Sequence, residues 1–339
     1  MRAARVLAGS HFVVSAAAAA RDAAPALPVF DPVSAPADAI VGLATLVLAI
    51  TAGIFVVVVV VLVTSIVRFR RRPGDDGSEP PQVYGSDQIE LAWTVLPILV
   101  VFVLSLVTAR TIYAVQGAAE PPGALEVTVV GHQWWWEIRY PALGITTANE
   151  LHVPVSEGAE PTATFLDLES ADVAHSFWVP RLAGKTDLLP NRRNRMWIAP
   201  REPGLYVGQC AEFCGTQHAH MLLRVVVHPR ADFDRWVAAQ REPASVDPTG
   251  AAGRRVFETT ACINCHSVRG TVATGRFGPD LTHLASRDTI AAGAAAMDRA
   301  SLRAWIEDPD RVKPGALMPA MKLEPARVDA LVDYLMTLR

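Results

Sequence analysis

From Ile40 to Val67 the chain is apolar almost without interruption, and a second apolar run extends from about Leu91 through Tyr113. The first run is about 28 residues, roughly 42 Å as a helix rising about 1.5 Å per residue, enough to cross a bilayer with some tilt. Val56 to Val61 would favour strand in water, but lipid offers the backbone no partners, so helix is the available solution. Pro97 falls inside the second run, where a membrane helix tolerates it as a kink. Arg68, Arg70, Arg71 and Arg72 follow the first run, whereas Lys and Arg are absent for some twenty residues beyond Arg110. The positive-inside rule therefore predicts a cytoplasmic loop between two helices and both termini outside, a hairpin over 38–114 with membrane lipid as its surroundings.

Ahead of the hairpin, residues 1–20 carry Arg2 and Arg5, an apolar stretch from Val6, and alanines 16–20 before Arg21. This is the order of a secretory signal peptide ending near Ala20, with a short first membrane helix as the alternative. The net charge of -3 leaves no basic footprint, which sets nucleic-acid binding aside.

Residues 120–232 change character. Leu125 to Val130, Trp136 to Tyr140, Ala163 to Leu168 and Leu222 to His228 are short alternating or β-branched runs broken by Pro, Gly and Asn, the rhythm of a β-sandwich. Cys210, Cys214, His218 and Met221 lie within twelve residues ahead of the last of these runs. Two soft thiolates, an imidazole and a weak thioether suit copper cycling between Cu(I) and Cu(II), and thiolates bridging two coppers would spread one electron over both. A Cys-x3-Cys-x3-His group is also a zinc pattern, which spacing alone leaves open; Met221 favours copper because a thioether is a poor zinc ligand. His175, in Asp172-Val-Ala-His-Ser-Phe-Trp-Val-Pro180, is the candidate for the missing imidazole. His132, His152, His220 and His228 read as structural histidines.

Cys-x-Glu-x-Cys-x3-His-x2-Met, His-Ser-Phe-Trp-Val-Pro ahead of Lys185-Thr-Asp187, Gly131-His-Gln-Trp-Trp-Trp136, and Glu90-x-x-Trp93-Thr-x-x-Pro97 together resemble subunit II of the haem-copper cytochrome c oxidases. The resemblance covers about residues 30–230. It implies a cupredoxin-like domain with a binuclear copper centre, Cu(A). His175 and Met221 would hold one copper, His218 and the Glu212 carbonyl the other, with Cys210 and Cys214 bridging. It further implies a magnesium or manganese ion on the Glu212 carboxylate shared with subunit I, and Trp134 as the aromatic through which an electron reaches copper. Glu90 would sit at the cytoplasmic mouth of a proton pathway. On their own chemistry, Glu212 is a solvated loop acid, Trp134 a core or interface aromatic, and Glu90 an interfacial charge. Trp135 departs from the tyrosine common in the family, and His220 from a more often apolar position.

After a linker over 233–248, Cys262-Ile-Asn-Cys-His266 is the attachment signature of haem c, two thioether bonds from Cys262 and Cys265 and an axial histidine from His266. Residues 249–339 resemble a class I cytochrome c, opening with a helix from Gly250 to Thr259 and closing with one over Pro325 to Leu338. Met318 is the candidate sixth ligand and Met321 the fallback; Met297 is assigned to packing in an alanine-rich helix. Gly278-Pro279 resembles the turn that supports the axial histidine.

The expected fold is thus a multidomain membrane protein: a two-helix transmembrane hairpin, an all-β cupredoxin-like sandwich and an all-α class I cytochrome c domain. The combination resembles subunit II of a caa-type oxidase. It implies subunit I and subunit III as partners, an upstream cytochrome or quinol-oxidising complex as donor, and a bacterial plasma membrane with the C-terminal domains on the periplasmic side. A membrane-anchored copper chaperone and a donor to another reductase, such as one for nitrous oxide, are the rival readings. Neither accounts for the haem tail together with Glu90.

Overall fold

The computed structural model describes residues 28–339, apart from 75–76, 80, 83, 157–162 and 246. The expected signal peptide over residues 1–20 lies outside the described residues. Two long helices come first, α1 (Ala35–Arg68) and α2 (Asp87–Gln116), packed on each other. Every residue from Val56 to Val63 is at least 36% exposed, so this apolar surface is left for lipid to cover. Both helices are tied to the domain that follows. Trp197 donates its indole N–H to the carbonyl of Val115 at 2.6 Å, and Arg201 pairs with Asp38 in the first turn of α1.

Among the described residues, ten strands form two five-stranded sheets. In chain order they are β1 (Leu125–His132), β2 (Trp135–Tyr140), β3 (Ile145–Ala148), β4 (Glu150–Pro154), β5 (Thr164–Ser170), β6 (His175–Trp178), β7 (Thr186–Leu188), β8 (Asn194–Ile198), β9 (Gly204–Cys210) and β10 (Leu222–His228). One sheet runs β3-β2-β1-β5-β8 and the other β4-β10-β9-β6-β7. The pleat explains the sequence pattern: Leu223, Val225 and Val227 of β10 are buried, while the alternate positions Arg224 and Val226 are not. Trp136, Ile138, Leu166, Leu168 and Phe177 are fully buried between the sheets.

The expected linker over 233–248 begins inside a helix, α3 (Arg230–Arg241), which packs on the sandwich. Its Trp236 stacks on His152 at 4.4 Å and meets Tyr140 edge-on at 5.3 Å. The C-terminal domain then comprises α4 (Ala251–Thr259), α5 (Cys262–Cys265), α6 (Arg299–Glu307), α7 (Pro309–Val312) and α8 (Pro325–Leu335). Gly253 lets α4 and α8 touch: a Cβ there would sit 1.8 Å from the Ala330 carbonyl oxygen.

The alanine-rich helix expected around Met297 does not form. Ala291 and Ala292 take positive φ, and the chain forms a short turn between two two-residue strands, Thr289–Ile290 and Ala295–Ala296. The turn packs against the sandwich, where a Cβ on Gly293 would lie 2.9 Å from that of Leu222. Tertiary contact overrides alanine's helix propensity.

Candidate functional site

The hairpin loop from β9 to β10 begins with Cys210 and ends with Met221, and its neck is closed by the Cys210 N–H donating to the Met221 carbonyl at 3.0 Å. β6 lies against β9 with Phe177 opposite Cys210, which brings His175 to the same end of the sandwich. The two sulfurs are 3.7 Å apart. His175 Nδ1 lies 3.9 Å from Cys210 Sγ, and His218 Nδ1 lies 3.7 Å from Cys214 Sγ. Met221 Sδ is 3.9 Å from Cys214 Sγ, and the Glu212 carbonyl oxygen is 3.2 Å from Cys210 Sγ. All six donors named from sequence are therefore brought together. His175, Cys210, Cys214 and Met221 are buried, His218 and Glu212 half-buried.

Three features hold the cluster. Gly131 of β1 leaves room for the imidazole, since a Cβ there would fall 2.6 Å from His175 Cδ2. Asp172 accepts from His175 Nε2 at 2.8 Å, which leaves Nδ1 as the free lone pair facing sulfur. Asp172 also accepts the backbone N–H groups of Gln133 and Val173, each at 2.6 Å. Burial raises its carboxyl and disfavours a charged His175, but their mutual hydrogen bond, with the Cys210 thiolate acting on His175 and the two N–H groups on Asp172, leaves Asp172 lowered and His175 raised. Cys210 ionises readily because the Cys214 thiol donates to it, and Cys214 then resists losing its own proton next to that thiolate.

The donor chemistry fits a copper pair. Two thiolates, two imidazoles, a thioether and a carbonyl exceed the four ligands of a structural zinc site and are the soft set copper prefers.

In the C-terminal domain, Cys262, Cys265 and His266 line a cavity of about 560 Å³, and so do Met318 and Met321. His266 Nδ1 donates to the Pro279 carbonyl at 2.8 Å, leaving Nε2 to ligate. Burial holds this imidazole below its usual range against the effect of that hydrogen bond. Gly278 lies under the ring, where a Cβ would be 2.6 Å from Cε1. Met297 packs on the core of the domain instead. An apolar hollow flanked by two thiols, a tautomer-locked histidine and methionines is the setting a covalent haem needs.

The cavity has a second wall. Trp134 of the β1–β2 turn and Trp135, the first residue of β2, line it too. Trp134 is half-buried, and its indole N–H donates to the Cys214 carbonyl at 2.9 Å, so one side chain touches both the copper loop and the cavity. Glu90 stands apart, exposed in the first turn of α2, with its backbone carbonyl accepting from Thr94. Asp172 and Lys313 were not legible as site residues. Asp172 lies three residues before His175, a spacing that is a usable signal; Lys313 gave none.

Soft donors held this rigidly beside a second cofactor cavity define a membrane-anchored electron-transfer protein. Three family models match the chain: the transmembrane domain of cytochrome c oxidase subunit II over 25–110, its periplasmic domain over 145–228, and cytochrome c over 250–339. Cytochrome c oxidase subunit 2 of Alkalihalophilus pseudofirmus is 35% identical over 299 residues, covering 86% of this chain and 84% of that one. The same subunit of Bacillus sp. strain PS3 is 34% identical, with 80% of each chain covered. The periplasmic domain of subunit II of cytochrome oxidase from Bradyrhizobium japonicum, a solved structure, is 28% identical over 36% of this chain and 97% of that one, with a TM-score of 0.34. The chain belongs to the cytochrome c oxidase subunit II family and carries a cytochrome c domain fused at its C-terminus.

Proposed function

We propose that the chain is subunit II of a caa-type cytochrome c oxidase, taking electrons at haem c and passing them by a binuclear copper centre to subunit I, which reduces oxygen to water and translocates protons. The observation that carries this reading is the shared wall: Trp134 lines the cavity of Cys262, Cys265 and His266 while its indole N–H holds the carbonyl of Cys214. When bound, the copper pair and the haem supply one-electron redox chemistry. The chain's own residues fix the donors beforehand, so little rearrangement accompanies each transfer.

In this reading His175, Cys210, Cys214, His218, Met221 and the Glu212 carbonyl hold copper. Cys262 and Cys265 attach haem c, and His266 and Met318 ligate its iron. The half-buried Glu212 carboxylate is assigned to a magnesium or manganese ion at the boundary with subunit I. Glu90, exposed where α2 begins, is assigned to the mouth of a proton pathway in that partner. Subunit III, a cytochrome or quinol-oxidising donor, and a bacterial plasma membrane complete the proposal, with the two C-terminal domains on the outer side.

The test is copper and iron per chain in the purified protein, with its electron paramagnetic resonance spectrum. Two coppers sharing one unpaired electron and one covalent haem are expected. A single copper, or zinc, would show the loop to be a chaperone or structural site and end the relay reading.

A further inference from the structure

Lys313 belongs to neither donor set, yet it is 3% exposed and touches three parts of the molecule at once. Its Nζ donates to the carbonyls of Trp134 at 2.7 Å, His220 at 2.9 Å and Ala291 at 2.9 Å. The first acceptor lies in the β1–β2 turn, the second in the copper loop, and the third in the C-terminal domain itself. An ammonium has three N–H donors, and here each has a partner. Burial pushes this amine down to about 7, so these acceptors offset a large desolvation cost.

The next two residues extend the contact. Gln217 of the copper loop donates Nε2–H to the Pro314 carbonyl at 2.7 Å, and a Cβ on Gly315 would lie 3.7 Å from the Trp134 ring. The segment 313–315 therefore rests on the tryptophan and the copper loop, a few residues before Met318. At another point of the interface, Arg224 and Asp288 pair at 3.1 Å with Asp288 70% exposed, a kind of ion pair that contributes little.

We infer that Lys313 is a positioning residue that clamps the haem domain onto the copper domain through Trp134 and His220, so that donor and acceptor are held in one geometry. The inference rests on the relay proposed above. A donor on a loose tether must find its acceptor at the effective concentration its linker sets, and transfer then carries an encounter step. A clamped donor has none.

The experiment uses the assembled oxidase with the full chain, native or Lys313→Met, which removes all three donors while keeping a long stem. An electron is injected photochemically into haem c and its arrival at copper is timed as glycerol raises the viscosity. Amide hydrogen exchange over 289–296 is followed on the same samples. The native rate is expected to ignore viscosity. In Lys313→Met, with haem spectrum and copper count unchanged, it should fall by about tenfold or more, become viscosity-dependent, and be accompanied by about tenfold faster exchange.

An unchanged rate and unchanged exchange overturn the clamp. Where Lys313→Met loses its haem spectrum, Lys313→Gln, with two N–H donors on a shorter stem, decides by the same two readouts. Arg224→Ala is expected to move neither by more than about twofold; an effect equal to that of Lys313→Met would spread the role over the whole interface and also overturn the assignment. If the native oxidase passes no electron from haem c to copper, the relay reading falls, while the exchange comparison still decides whether Lys313 joins the domains.

Discussion

In the proposed relay, the copper loop and the haem cavity solve the same problem, holding a redox cofactor still, in opposite ways. In the sandwich, four of the six donor residues are already buried, backed by Trp136, Phe177 and the rest of a closed core. The ions would fill gaps between atoms that touch without them. In the C-terminal domain Cys262, Cys265 and His266 line a hollow of about 560 Å³, and the buried side chains of Leu284, Leu302, Ile306 and Leu335 line it with them. Left unfilled, the hollow deprives these apolar side chains of packing partners on one side, a loss that weighs heavily on a small domain whose whole stability is on the order of 5–15 kcal/mol. On the proposed relay, one domain would enclose its cofactor after folding, and the other would take the cofactor as part of its core.

The largest test of that contrast is to remove haem attachment. Cys262→Ala with Cys265→Ala should leave residues 250–339 without cooperative folding, read as lost amide protection in α8, while the sandwich keeps its own. Retained protection in α8 would break the comparison. The converse change, Cys210→Ser, should abolish copper binding yet cost the sandwich only about 1–2 kcal/mol, measured by thermal unfolding of the copper-free protein. Loss of the sandwich fold would show that its core also depends on the metal.

Asp172→Asn sharpens the copper side further. The amide can still accept from Nε2–H but carries no charge, so copper affinity should fall about 10- to 100-fold with the fold intact, as titration against a competing chelator would show.

A further test concerns the pH dependence of the sandwich where it meets the C-terminal domain. His152 is stacked on Trp236, and its Nδ1 lies 2.8 Å from His228 Nε2. Burial first, then the charges of His228 and Arg287, depress it from 6.5 to about 3. The neutral form is the one the fold accepts, so its contribution is complete above pH ~6.5 and is lost as pH falls toward about 3. Denaturant unfolding between those limits should show declining sandwich stability, and His152→Phe should flatten the slope. The smallest structural effect belongs to Glu90→Gln. This exposed side chain should leave both cofactor spectra unchanged while turnover of the assembled oxidase slows, and unchanged turnover would end the proton role.

Features whose physics is local were legible in the chain. The membrane helices are stretches of apolar residues bounded by charge, and five of the six proposed copper donors fall inside one twelve-residue segment. The haem attachment signature is five consecutive residues. His175 is different: its own spacing says nothing, and only the surrounding resemblance singled it out. The helix expected at Met297 failed because propensity knows nothing of Leu222, some seventy residues earlier, against which the turn at Gly293 packs.

By itself, then, the sequence determined the hairpin, the sandwich rhythm, the donor types and the Cys-x2-Cys-His signature, because each depends on residues close together in the chain. Only the tertiary structure decided that Asp172 would set the face His175 turns to sulfur. It alone placed Trp134 in the wall of the haem cavity, and fastened Lys313 to a carbonyl 179 residues away. Those contacts arise when separately folded surfaces meet, and no periodicity or spacing along the chain encodes which carbonyl a buried ammonium will find.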